Sequence, residues 1–271
     1  MQHTDTPITI LGSGNVATHL AQAFHQAGYP IAQVWSRDFD HAEQLAYLVD
    51  AEPVNQLSRL NTTSVVYLMA VSDDALYELP LDLSLREALV LHTSGSVPMS
   101  VLRTTSRHHG VLYAPQTFVR TQQMDYSTLP FCIEASNPVA MQMLHRLASS
   151  VSDKVYEVDS DQRRWLHVAS VLVNNFGNAL HALSQDLLQK HGLKFEMLQP
   201  LIELTTQKAI AEEAASHSLW KLQTGPAIRH DEKTIDRHLT MLKDDDTLFE
   251  LYQLMTRAIQ EHCTQKEETK Q

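Results

Sequence analysis

The chain of 271 residues is long enough for two domains or one large one with a sizeable core. Hydrophobic residues make up 43% and charged residues 20%, an ordinary globular balance, and a formal net charge of −11 argues against nucleic acid or an anionic membrane as partner. Cys132 and Cys263 stand too far apart for a C-x-x-C pair or a disulfide framework. The opening MQHTDTP lacks the basic and apolar regions of a signal peptide, and no apolar run approaches the ~20 residues of a membrane span. A cytoplasmic protein is expected. The 15 histidines include adjacent His108 and His109 but no H-E-x-x-H or paired Cys/His spacing, so no metal site is expected.

Ile8, Ile10 and Leu11 form a short apolar run of the kind found in buried parallel strands. It ends in Gly12-Ser13-Gly14-Asn15-Val16-Ala17, the G-x-G-x-x-A form of the dinucleotide fingerprint. Gly12 permits the tight turn, Gly14 lets the backbone approach a pyrophosphate, and Ala17 lets the helix pack close to the strand. The helix N-terminus presents free N–H groups to the phosphates. Its apolar face runs through Val16, Leu20, Ala23, Phe24 and Ala27 and stops at Gly28. Ile31–Trp35 is the second expected strand, ending in Ser36-Arg37 about 24 residues after Gly12. An acidic residue here would favour NAD; a hydroxyl and a guanidinium suit the 2′-phosphate of NADP. Asp40 can cap the next helix, His41–Val49.

Further strands are expected at 65–71, 88–91, 111–113, 131–133 and 155–158, with an amphipathic helix at 139–147. This alternation predicts an α/β fold, a doubly wound parallel Rossmann-like sheet. Ligands of such sheets bind where the strands stop. Val71, Ser72, Asp73, His92, Ser94, Gly95 and Gln116 are therefore expected around one crevice, although Asp73 can also cap a helix and Ser94-Gly95 can be a plain turn.

From Asp161 onward helical periodicity replaces the strand pattern. The expected domains are 1–158, binding NADP, and 159–271, an all-helical substrate and dimerisation domain. Asp161–Lys190 reads as one helix of about thirty residues ended by Gly192, followed by Leu198–Ala215, Ile235–Lys243 and Leu248–Cys263, with a charged tail QKEETKQ. At 100° per residue His167, Asn174, Asn178 and His181 fall within roughly a 60° arc. Asparagines and Gly177 in mid-helix carry a propensity cost, so this stripe faces either a site or a polar interface between helices. In Gln223–Arg229, Gly-Pro reads either as an anion-binding helix start or as a turn.

Together LGSGNVATHLAQAF, LHTSGS, APQTF, LHVASVLVNNFGN and QTGPAIR resemble an uncharacterised bacterial family that joins a Rossmann-like NADP-binding domain to a helical C-terminal domain of unknown function. The resemblance covers roughly residues 8–259. The family looks like a branch of the superfamily of 6-phosphogluconate dehydrogenase, pyrroline-5-carboxylate reductase and ketopantoate reductase. That implies NADP(H), hydride transfer, and a helical domain that dimerises and closes over the nicotinamide. Gly12, Gly14, Ser36 and Arg37 match the cofactor pattern. Ser94 and Gly95 match the loop beside the nicotinamide in pyrroline-5-carboxylate reductases. Asn174 and Asn175 resemble the asparagine pair of the hydroxyacid dehydrogenases, whose catalytic lysine is replaced here by Ser170 and Val171. His167, on the same face, can serve as proton donor because its ordinary pKa lies near neutrality.

The expected function is NADP-dependent hydride transfer to a small carbonyl or imine compound, with Asn174 and Asn178 positioning the substrate. The alternative is a non-catalytic NADP-binding redox sensor or partner protein. A homodimer through the helical domain is expected because Trp165, Leu166, Val168, Val171, Leu172, Val173 and Phe176 put apolar surface almost all round one helix.

Overall fold

The structure, a computed structural model, describes residues 5–211 and 218–264. The strands are β1 (Ile8–Leu11), β2 (Ile31–Trp35), β3 (Glu52–Val54), β4 (Val66–Met69), β5 (Leu89–His92), β6 (His108–Tyr113), β7 (Phe131–Ala135) and β8 (Val155–Glu157). They form one eight-stranded sheet in the order β3-β2-β1-β4-β5-β6-β7-β8. The first six positions are the doubly wound Rossmann order. Ile10 of β1 stands level with Val34 on one side and Leu68 on the other.

Alternation along each strand divides the core between the two faces. Ile8, Ile10 and Leu68 pack on one face with Leu20 and Phe24 of α1 (Asn15–Gln26), Leu45 of α2 (Phe39–Leu48) and Leu144 of α4 (Pro138–Ser149). Leu11, Tyr67 and Met69 face the other way, toward Leu76 of α3 (Asp73–Glu78) and Leu102. The central strands are therefore buried on both faces, the reason they read as unbroken apolar runs.

Several local expectations are corrected. β3 has no apolar signature, since Glu52 and Pro53 form most of it, yet it pairs in parallel with β2. Strand β7 runs antiparallel to β6, Gly110 standing opposite Ala135, so the sheet is mostly and not wholly parallel. The link between them holds one short turn of helix at Tyr126–Thr128 and no crossover helix, which a parallel pair would require. Asp38, not Asp40, caps α2, accepting from His41 N at 3.2 Å.

Helical structure from Ser160 to Lys190 is not uniform. It comprises α5 (Ser160–Ser170), a π-helical segment at Val171–Phe176 and α6 (Gly177–Lys190). The wider π turn breaks the 100° step on which the single polar stripe relied. The chain divides into compact units at Phe176/Gly177, beyond the expected 158/159 boundary. The cause is α5, which lies within the first unit and packs on the sheet. Arg163 is fully buried there, pairs with Glu134 of β7 and donates to Val97 O at 2.8 Å, while Leu166 packs against Val111, Tyr113 and Cys132.

The second unit is helical. Besides α6 it contains α7 (Gln199–Ile210) and helices Glu232–Leu242 and Asp246–Thr264. Residues 212–215 of the expected helix 198–215 and the tail 265–271 lie outside the described residues. His238 Nδ1 and Tyr252 Oη meet at 2.7 Å between the last two helices, and Lys190 reaches Asp245 at 3.1 Å. Gly225-Pro226 stands in a turn, Gly225 at φ +101°, and the following helix starts only at Glu232, capped by Asp231. The anion-binding helix start is thus not formed. Among the described residues of this unit, Ala227 and Ile235 are its buried hydrophobics.

Candidate functional site

The turn after β1 is built for close approach. Gly12 has φ +118°, and a Cβ there would lie 2.1 Å from the carbonyl oxygen of Ala70, so no side chain fits. Gly14 differs: a Cβ on it would meet nothing within 4 Å. That open space lies at the N-cap of α1, whose first amides receive no side-chain cap. Ser13 Oγ donates to Ser36 Oγ at 2.9 Å, and Ser36 Oγ accepts from Asp38 N at 3.3 Å. Arg120, from the loop after β6, donates to Ser13 O at 2.6 Å. Sequence reasoning missed Arg120, which follows the strand by seven residues and carries no motif.

Two cavities flank this turn. One, of about 550 Å³, is lined by the glycine turn, Ser36, Arg37, Val71, Ser72 and Thr93. The other, of about 760 Å³, is lined by Gly95, Tyr113, Gln116, His167, Ser170 and Asn174, among others. Val16 and Thr93 line both. In place of the expected single crevice there are two cavities that share Val16, in the first turn of α1, and Thr93, directly after β5.

Not every expected residue faces them. Asp73 sits in the first turn of α3, where Ser96 donates to its carboxylate. Ser94 Oγ accepts from Ser96 N at 3.1 Å and Val97 N at 3.0 Å. Both side chains shape the loop, and Thr93 and Gly95 present it to the cavity. His92 is fully buried in β5 and does not reach the crevice. Burial and the Arg163 charge push its pKa down to about 3, so it is neutral, and its Nδ1 accepts from Ser94 N at 3.2 Å.

His167 is brought to the cavity by α5. One turn earlier, buried Arg163 anchors the same helix face to Glu134 and Val97. Tyr113, the last residue of β6, places Oη 3.2 Å from His167 Nδ1, with the rings edge to face at 6.0 Å between centroids. Burial raises the Tyr113 hydroxyl above its ordinary pKa, partly offset by the side-chain hydrogen bond with Ser170, so it is a neutral phenol. Gly95 packs directly on this pair: a Cβ there would come within 2.7 Å of His167 Nδ1 and 2.9 Å of Tyr113 Cε2. Tyr113 was legible only as part of an apolar strand, although it is the polar residue at which β6 stops. Asn174, in the π segment, lines the cavity, whereas Asn178 belongs to the second compact unit and is not in the lining.

Sheet order, glycine turn and flanking cavities define the class of Rossmann-like dinucleotide-binding proteins. Residues 129–259 match a domain of unknown function, DUF2520. A Bacteroides fragilis protein of known structure, named as a candidate NADP oxidoreductase, is 41% identical, with 95% of this chain and 98% of that one covered at a TM-score of 0.84. The chain belongs to the same family as that protein, within the Rossmann-like NADP-binding superfamily. Protein TM1727 from Thermotoga maritima is similar at 19% identity, 96% and 99% coverage and a TM-score of 0.71. A variant imine reductase from Myxococcus stipitatus, solved with NAD⁺, is similar at 15% identity, 93% and 94% coverage and a TM-score of 0.66. The last two likenesses concern the fold. A search of curated proteins found no match. No helix of the described residues is long and apolar enough to cross a membrane.

Proposed function

We propose that the protein is an NADP(H)-dependent oxidoreductase acting on a small carbonyl or imine compound. The observation that carries this reading is the pair of cavities sharing Val16 and Thr93, one of them lined by the glycine turn and the other by His167 and Asn174. A dinucleotide needs such a path, with its pyrophosphate over the turn. The open space at Gly14 and the uncapped amides of α1 fit that pyrophosphate, and Ser36 with Arg37 fits an adenosine 2′-phosphate.

The nicotinamide, when bound, supplies the hydride. The chain's own part is proton supply and orientation. His167 presents its ring to the cavity and can give a proton to the substrate oxygen or nitrogen; Asn174 offers an amide to the same ligand. The position of the hydroxyacid dehydrogenase lysine is held by Ser170 and Val171, which leaves the His167 imidazole as the group on this face that can give a proton. We include in the proposal a homodimer that covers the exposed apolar helices.

Purified protein should bind NADPH in an equilibrium titration and oxidise it in the presence of a member of a panel of keto acids, aldehydes and cyclic imines. Binding without turnover on any of them would leave the redox sensor as the better reading. Absence of nucleotide binding would remove both.

A further inference from the structure

We infer, resting on the reading that a dinucleotide lies over the glycine turn, that Arg120 binds its pyrophosphate from the loop after β6. The fingerprint supplies backbone amides to the phosphates; Arg120 supplies a cation that no motif announces. It donates to Ser13 O at 2.6 Å. Ser13 stands between Gly12 and Gly14, directly before the N-cap of α1. The guanidinium is thus held at the turn itself.

By itself this is an unfavourable place for a cation. The N-terminus of α1 is the positive end of the helix dipole, and its first turn holds no acidic residue. Among the described residues Arg120 forms no ion pair, and the bond to Ser13 O is its one hydrogen bond. A guanidinium has five N–H donors in a planar fork, so most of them remain for another acceptor. An anion at the turn reverses the balance, because helix end and guanidinium then attract it together. Gly14 leaves room for one, since a Cβ there would meet nothing within 4 Å. A dinucleotide carries a negative charge on each phosphate of its bridge and fits that demand.

The loop is fastened to α1 just before the arginine. His19, buried on α1, donates from Nε2 to Val119 O at 2.9 Å, because a carbonyl only accepts. In the neutral ring Nδ1 then accepts from Tyr126 Oη at 3.0 Å. Phe118, also buried, packs on the same imidazole with 5.1 Å between ring centroids. Phe118 and Val119 immediately precede Arg120, so its backbone is fixed against the helix whose N-terminus faces the ligand. A side chain set in place beforehand loses less freedom on binding. Gln116, Thr117 and Phe118 of the same loop also line the larger cavity, which ties the pyrophosphate contact to the wall beside His167. Arg37 and Arg120 divide the work: the first meets what distinguishes NADPH from NADH, the second what the two share.

The test is equilibrium titration of the full chain with NADPH, NADH and 2′-AMP, which has the adenosine 2′-phosphate but no pyrophosphate. Arg120→Gln retains a donor for Ser13 O and loses the charge. It should weaken NADPH and NADH to the same degree, by about tenfold or more, and leave 2′-AMP unchanged. Arg120→Lys keeps the charge and should lose less than Arg120→Gln. Thermal unfolding without nucleotide separates a ligand contact from a structural tie: losing an unpaired cation at a helix N-terminus should leave the midpoint unchanged or raise it, whereas losing a tie lowers it. Dinucleotide binding unchanged in Arg120→Gln, a loss confined to NADPH, or a loss matched by a lower midpoint would overturn the inference. A wild-type protein that binds neither dinucleotide would remove the dinucleotide reading itself, and this inference with it.

Discussion

Ser13 and Ser36 meet hydroxyl to hydroxyl at 2.9 Å, tying the glycine turn after β1 to the end of β2. The bond fixes the distance between the backbone that faces a pyrophosphate and the strand end that chooses between dinucleotides. Arg37 follows directly, exposed and on the wall of the same cavity. Its guanidinium is the cation available there for a 2′-phosphate. Arg37→Ala should weaken NADPH binding ten- to a hundredfold, the loss of about 1.5–3 kcal/mol typical of a charge-assisted hydrogen bond, and barely alter NADH. Fluorescence titration with both nucleotides checks this; equal losses for the two would remove Arg37 from the choice.

His167→Gln should lower turnover by ~10²-fold or more, the usual contribution of a positioned acid, while NADPH affinity stays within about twofold. Glutamine keeps a polar side chain on α5 but cannot carry and release a proton near neutrality. Unchanged turnover on an accepted substrate would rule out His167 as the acid.

Much of the frame was legible from residue patterns, for identifiable reasons. The buried strands are apolar on both faces, so β1, β2 and β4 announce themselves, and Gly12 stands where no Cβ fits. What stayed hidden depends on distant partners. Glu52-Pro53-Val54 has no strand pattern and is a strand only because β2 offers it a free edge. The direction of β7 is set by a link without a crossover helix, which periodicity does not report. Arg163 sits next to Arg164 and resembles a solvated pair; its burial requires Glu134, 29 residues earlier. The asparagine stripe assumed a regular helix, and the π turn at Val171–Phe176 removes that regularity. Tyr113 matters through His167, a partner 54 residues away.

Gly95→Ala tests the tight contact on the His167–Tyr113 pair. The added carbon would fall 2.7 Å from Nδ1 and 2.9 Å from Cε2, so either the loop or the pair must move. Overpacking of this kind costs about 1–3 kcal/mol, and a displacement of the reacting group by about an ångström can cost ~10²-fold in rate. Turnover is expected to fall far more than the thermal midpoint. A variant with full activity would show that the pair is not held by this loop.

His92 gives a pH prediction with a definite sign. Unfolded, it protonates near 6.5; folded, its pKa is about 3, because burial and Arg163 disfavour the cation while Pro98 and Asp73 oppose them weakly. Between these values the unfolded chain binds a proton that the folded chain refuses. The neutral histidine's contribution is thus fully present above about pH 6.5 and is lost as pH falls toward 3, at up to ~1.4 kcal/mol per pH unit. His109, also lowered by burial, acts in the same direction. Denaturant unfolding between pH 6.5 and 5 keeps clear of most carboxylate titration. Over that range His92→Asn, which retains an acceptor for Ser94 N, should show a shallower decline than the wild type; equal slopes would contradict the assignment.

The last prediction concerns assembly. In α5 and the π segment Trp165 is 75% exposed and Val173 82%, and in the second unit Ile210 is 77% and Met241 73% exposed. Against that surface the described part of the second unit buries only Ala227 and Ile235 as hydrophobics, too little to stabilise four helices in water. Each of these large side chains gains about 1.5–3 kcal/mol if it is fully covered. A second copy of the chain presents the same apolar surface and is a self-complementary cover, the commonest form of oligomer. Light scattering at low micromolar concentration should therefore give a mass near 61 kDa, twice the 30.6 kDa of one chain. Trp165→Glu with Val173→Glu should shift the mass toward the monomer and lower the thermal midpoint, since burying a carboxylate in an apolar contact is unfavourable. A wild-type protein that stays monomeric at that concentration would remove the homodimer.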